Sequence, residues 1–179
     1  TSLDAARAVF VARTTANQGR IVDTAGDSVL AVFETAAGAL IAALQIQTAL
    51  AEAHKKLPVT QHMQFRIGIH LGDMMEKTDG SVYGDGVNIA ARLQALAEPG
   101  HITVSDAMHG AVRGKVAAQF ADRGEQKVKN ITHPVRMFDV FSDVATRPLA
   151  TEPTIAPASG HDRPAIAVLP FRVHSDDRR

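Results

Sequence analysis

The chain has 179 residues, enough for one well-packed domain with an appendage but not for two independent cores. Its 19 basic and 19 acidic residues balance, which speaks against a protein that neutralises a run of phosphates along a nucleic acid. With no cysteine, a disulfide framework, thiolate catalysis and a cysteine-ligated zinc or iron–sulfur site are all excluded, and a reducing cytoplasm is the natural setting. No basic and apolar leader opens the chain, and Thr1 is not a methionine, so the start reads as a cut within a longer protein.

Ser2 to Ala16 reads as a helix with a candidate serine cap and apolar Leu3, Ala6, Val9 and Phe10 at helical spacing. After a turn signal at Asn17 to Gly19, RIVDTAGDSVLAVF gives two β-rich runs around Gly26 and Asp27, so the tip of a tight hairpin carries a carboxylate. A long alanine-rich helix is expected from about Glu34 to Lys56. Its apolar stretch from Ala36 to Leu44 is too short to span a bilayer, so no membrane contact is expected from this segment. FRIGIHLG then reads as a buried strand, MMEKTDGSVYGDG as a turn-rich excursion, and VNIAARLQALA as a helix ending at Pro99 and Gly100. HITVS is a short strand, SDAMHGAVRG a short helix, and AAQFADRGEQKVKN with PVRMFDVF the closing strands. Helices and hairpins interspersed in this way predict an α+β fold with a mixed sheet and helices on one face.

From Ser142 to Pro164 the apolar periodicity lapses and four of the eight prolines occur, the composition of a linker. Beyond it, AIAVLPF is a compact strand-like run. It reads as the start of a following domain or as an edge strand that docks back.

The most informative segment is VYGDGVNIAAR, where a glycine-bounded turn opens into a helix that sets Asn88 and Arg92 four residues apart on one face. A guanidinium fork suits phosphate oxygens and an amide can orient a ribose, although such a pair taken alone is usually a solvated helix face. The eight histidines show neither HxxxH zinc spacing nor a triad order.

Together with RIVDTAGDSVLAVF upstream and GEQKVKNITHPVRMF downstream, this segment resembles, in order and spacing, the catalytic domain of class III adenylate and guanylate cyclases of the bacterial type. The resemblance covers Gln18 to about Phe141 and implies a ferredoxin-like mixed sheet with helices on one face. It implies a catalytic domain over residues 1–141 that lacks its first strand, a linker at 142–164, and the start of a following domain or a docked strand at 165–179.

By the same resemblance, Asp27 matches a metal aspartate for paired Mg2+ or Mn2+, which would polarise the α-phosphate, lower the pKa of the ribose 3'-hydroxyl and offset charge on pyrophosphate. Asn88 matches the ribose-orienting position and Arg92 the one that stabilises charge on the transferring phosphate, while Lys129, with Lys127 as nearest competitor, matches a triphosphate lysine. Two base-reading positions depart from the adenylyl pattern: Asp23 stands where a lysine is common, and Ser81 where an aspartate or threonine is common. Asp23 suits guanine donors and Ser81 accepts weakly, so ATP and GTP both stay open as substrate. The family's first metal aspartate, on a strand before the first long helix, has no counterpart; Asp4 is better read as a first-turn acid favoured by the helix dipole. The resemblance further implies a cytoplasmic homodimer with two shared sites, each joining Asp27 and Lys129 of one copy to Asn88 and Arg92 of the other. It leaves, as the other reading, a catalytically silent homology module that binds nucleotide, dimerises or regulates.

Overall fold

The computed structural model describes residues 2–24, 28–58, 62–127, 133–142 and 165–172. Helix α1 (Ser2–Ala16) carries Asp4 in its first turn, and buries Ala6 and Phe10. Phe10 meets Phe65 edge to face, with ring centres 5.2 Å apart. Gln18, at φ 58°, turns the chain out of α1 into strand β1 (Gly19–Asp23), which pairs antiparallel with β2 (Ser28–Phe33) as the expected hairpin.

Helix α2 (Ala36–His54) begins at Thr35, whose hydroxyl accepts from the Gly38 amide at 3.0 Å. By length and composition α2 is apolar enough to cross a membrane, yet Leu40, Ala42, Ala43, Ile46 and Leu50 are buried against the sheet. The buried strand of the sequence reading is split into β3 (Gln64–Phe65) and β4 (Ile67–Leu71). The turn-rich excursion is a small separate hairpin, β5 (Met75–Glu76) with β6 (Val82–Tyr83). Helix α3 (Asp85–Leu96), β7 (Ile102–Ser105), α4 (Asp106–Val112), β8 (Ala118–Gln126) and β9 (Val135–Ser142) follow as expected. A last strand, β10 (Ala165–Arg172), docks back into the sheet.

The main sheet runs β1-β2-β10-β4-β7-β9-β8, with β3 pairing β10. Among the described strands only β4 and β7 pair in parallel, so the sheet is mixed and the fold is the expected α+β class. A single apolar core lies between one sheet face and α1, α2 and α4; it holds Phe10, Leu40, Ile46, Ile67, Ile69, Val104 and Met108. Helix α3 packs on the other face, because side chains alternate along β4: Ile67 and Ile69 point to the core, and Gly68 turns toward α3. The position of β10 is central rather than at an edge. Its unbroken apolar run AIAVL suits a strand flanked on both sides.

His70, on β4, lies with Nδ1 2.8 Å from the Ser105 hydroxyl, which also caps α4 by accepting from the Met108 amide. Burial pushes the His70 imidazole down to about 4. Because the folded value is depressed below the unfolded 6.5, the unfolded chain takes up its proton first as pH falls. Stability from this group is complete above pH 6.5 and is lost downward until it levels off below about pH 4. Urea unfolding at pH 7 and pH 5 is expected to show about 2 kcal/mol lost through His70, a loss absent from His70→Asn. Parallel losses in the parent and the variant would show that His70 titrates normally.

Candidate active site

Helix α3 owes its place to small residues on its inner face. Gly86, Ala90 and Leu93 are buried, and a Cβ built on Gly68 would lie 2.3 Å from both the Ala90 carbonyl oxygen and the Gln94 amide nitrogen. Only glycine lets strand and helix backbones approach so closely. The opposite face of α3 carries Asn88 and Arg92, both exposed and one turn apart. Gly84, at φ 130°, makes the turn into the helix, and its carbonyl accepts from the Asn88 amide at 3.2 Å. Among the described residues, no ion pair engages the Arg92 guanidinium.

The C-terminal end of α3 is clamped by a buried polar group that sequence reasoning missed. Asp139 on β9 accepts from the Thr103 hydroxyl at 2.8 Å and from Arg123 Nη1 at 3.3 Å, and the same nitrogen donates to the Leu96 carbonyl at 3.3 Å. These side chains share the α3 face of the sheet, since Phe138, Val140, Ile102 and Val104 alternate to the core. The available signal was a carboxylate inside the apolar strand PVRMFDVF, which demands a partner when buried.

Ser81 stands just before β6, on the small hairpin that leads into α3. Its hydroxyl donates to Asp79 Oδ1 at 2.6 Å and its amide to the same oxygen at 2.9 Å. The hydroxyl bond, foremost, and the amide bond hold the Asp79 carboxyl below its ordinary range. Ser81 therefore has its proton committed and its oxygen lone pairs left to accept. The hairpin is tied to β1 by an Arg20–Glu76 ion pair of 2.8 Å between half-exposed side chains. Such a pair adds at most about 1 kcal/mol, but it sets the Ser81 arm beside the strand that ends in Asp23. Asp23 is exposed, and a register irregularity between Ile21 and Asp23 precedes it.

The structure thus brings Asn88 with Arg92 on α3, and the Ser81 arm to the side of the Asp23 strand. Asp27 and Lys129 lie outside the described residues, while Lys127 is exposed at the end of β8. Among the described residues, no group of three or more His, Asp or Glu side chains is placed to hold a metal ion. These residues by themselves do not fit a paired-metal site.

The sequence from 3 to 142 matches the family described as adenylate and guanylate cyclase catalytic domain. The protein named "Putative adenylate cyclase 3" of Rhizobium meliloti (strain 1021) is 41% identical over 164 residues, which cover 90% of this chain and 27% of that protein. The chain therefore spans about a quarter of that relative's length. A protein of Glutamicibacter nicotianae named adenylate cyclase is 39% identical over 84 residues, 47% of this chain and 19% of that one. Among solved structures, an adenylate/guanylate cyclase/hydrolase from Silicibacter pomeroyi superposes with a TM-score of 0.71 at 43% identity, covering 76% of this chain and 80% of that one.

Gly68→Ala is expected to push α3 off β4, lowering stability by about 1–3 kcal/mol and moving Asn88 and Arg92. Ala90→Gly, which leaves the clashing carbonyl in place, is expected not to rescue it. A Gly68→Ala chain with parental unfolding midpoint and nucleotide affinity would show that the close contact is not needed.

Proposed function

We propose that this chain, which belongs to the adenylate and guanylate cyclase catalytic domain family, converts ATP to 3',5'-cyclic AMP and pyrophosphate at sites shared between two copies. The observation that carries the reading is the Asn88–Arg92 pair, exposed on α3 while the other face of that helix is fixed to β4. In the proposed reaction, the ribose 3'-hydroxyl gives up its proton to water as its oxygen attacks the α-phosphorus, the bond from that phosphorus to the α–β bridging oxygen breaks, and pyrophosphate leaves with the bonding electron pair. Arg92 holds the α-phosphate as negative charge builds on it, and Asn88 holds the ribose so that attack is in line. Lys129 would meet the triphosphate as a point charge. Mg2+ or Mn2+ at Asp27 is supported by the resemblance of RIVDTAGDSVLAVF to the family's metal hairpin. The proposed setting is the cytoplasm, where the ATP pool lies.

The choice of ATP rests on the two relatives named adenylate cyclase and on Ser81, whose bond to Asp79 leaves an oxygen able to accept from the adenine amino group. Asp23 favours guanine chemistry instead, so GTP is the competing substrate to assay. A silent module that binds nucleotide without turnover is the outcome that would replace the enzyme reading.

In the full-length protein with manganese and ATP, Arg92→Ala is expected to lower kcat by about 10²–10³-fold with little change in KM. Parental turnover by this variant would refute the role. Ser81→Ala is expected to cost about tenfold in kcat/KM for ATP and less for GTP, while cyclisation of GTP in preference to ATP would overturn the substrate assignment. For shared sites, Arg92→Ala mixed with equal Lys129→Ala is expected to recover about a quarter of parental activity, because half the dimers carry one intact site. No recovery from an equilibrated mixture would place each site within one copy.

A further inference from the structure

A cavity of about 350 Å3 opens between the second half of α2 and the strands β3, β7 and β9, at the small end of the range for organic ligands. Its floor is Ile102 on β7 with Val140 directly opposite on β9, both buried and both on the core side of the sheet. Leu44, Thr48 and Ala51 give one wall from a single face of α2. Phe141 on β9 also lines the cavity; it is 41% exposed, and its ring stands edge-on to His101 with centres 5.7 Å apart.

Charge is what this cavity lacks. No Asp, Glu, Lys or Arg lines it among the described residues, although these four types make up 21% of the chain. Burial, and then the neighbouring His62, lowers the pKa of the His54 imidazole, which accepts from the Met63 amide through Nε2 at 3.2 Å. Two further polar groups of α2 have donors already engaged: the Gln47 amide bonds the Phe65 carbonyl and the Thr48 hydroxyl the Leu44 carbonyl, each at 2.9 Å. Met63 adds a flexible apolar side chain able to refit around a guest. Such a lining offers no partner to an ionised group taken out of water, so it rejects nucleotides and other anions.

We propose that this cavity is a second binding site, which takes a small uncharged molecule with an apolar ring body and a hydroxyl or amide at one end. The rings lie on Ile102 and Val140, between α2 and Phe141, and the polar end meets Gln64 and Ser142 at the exposed rim. This site is separate from the one proposed for nucleotide, since α3 with Asn88 and Arg92 packs on the opposite face of the sheet.

The chain has no tryptophan, so 2-naphthol serves as a fluorescent probe of the full chain. In water the excited naphthol sheds its proton and emits as naphtholate, whereas in a dry site it emits as the neutral form. Titration is expected to show neutral emission saturating with a Kd of about 0.1–1 mM. Ala51 is exposed on α2, so Ala51→Phe is expected to fill the cavity, keep the parental unfolding midpoint and weaken the probe at least about tenfold. Ala51→Ser, too small to fill it, is expected to bind as the parent does, and Ser142→Phe closes the cavity from β9 instead. Naphthalene-2-sulfonate, of similar size but charged, is expected to compete at least about tenfold less well than naphthol competes with itself. Absence of neutral emission at millimolar probe, or parental affinity in both phenylalanine variants, would overturn the site. Equal competition by the sulfonate would overturn the preference for uncharged molecules, and displacement by ATP, or loss of binding in Arg92→Ala, would put the probe in the nucleotide site instead. None of these readouts depends on turnover, so failure of the cyclase reading would leave them intact.

Discussion

The seating of α3 on β4 at Gly68 is the constraint on which the rest of the site depends. With a carbonyl and an amide nitrogen each 2.3 Å from where a Cβ would stand, no side chain fits without moving one backbone or the other. This contact fixes the distance of α3 from the sheet, and the buried Ala90 and Leu93 fix its rotation. Asn88 and Arg92 then have one direction open to them, away from the sheet. Their exposure follows from packing on the opposite side of the helix.

The polar groups around α3 differ in what they contribute. Burying Asp139 costs several kcal/mol unless its oxygens are bonded, so Thr103 and Arg123 act mainly to make that burial tolerable. Arg123 also reaches the Leu96 carbonyl, one of the unsatisfied acceptors at the end of α3, and so joins helix, β8 and β9 through one guanidinium. Arg20–Glu76 is exposed to salt and solvent and contributes position more than energy. Asp122 and Arg136, paired across β8 and β9 on the surface, belong to the same weak class.

Local pattern carried far in this chain. The β1–β2 hairpin, α2 with its end near Pro58, and α3 between Gly84 and Pro99 all announce themselves through turn residues and period. What stayed hidden depends on pairing across distance. AIAVLPF reads as a strand by itself, but nothing within it names β2 and β4 as neighbours, and Pro170 argues for an edge. The glycine inside IGI was a usable sign of a close backbone approach, yet only the fold reveals that α3 is what approaches, and on the face away from the core. Asn88, Arg92, Asp23 and Ser81 could be singled out because motif spacing marks them; Thr103, Arg123 and Asp139 could not, because their roles arise from partners 16 to 36 residues away.

The central place of β10 also bears on how the chain is made. As the polypeptide leaves the ribosome, the edges of β2 and β4 have formed their other partners by residue 142, yet the strand between them is still to come. At ordinary elongation rates the roughly 30 residues to Arg172 take about 2–6 s. During that interval no strand from the described residues up to 142 pairs with the facing edges of β2 and β4, and an unpaired edge is the condition that draws in chaperones or stray strands.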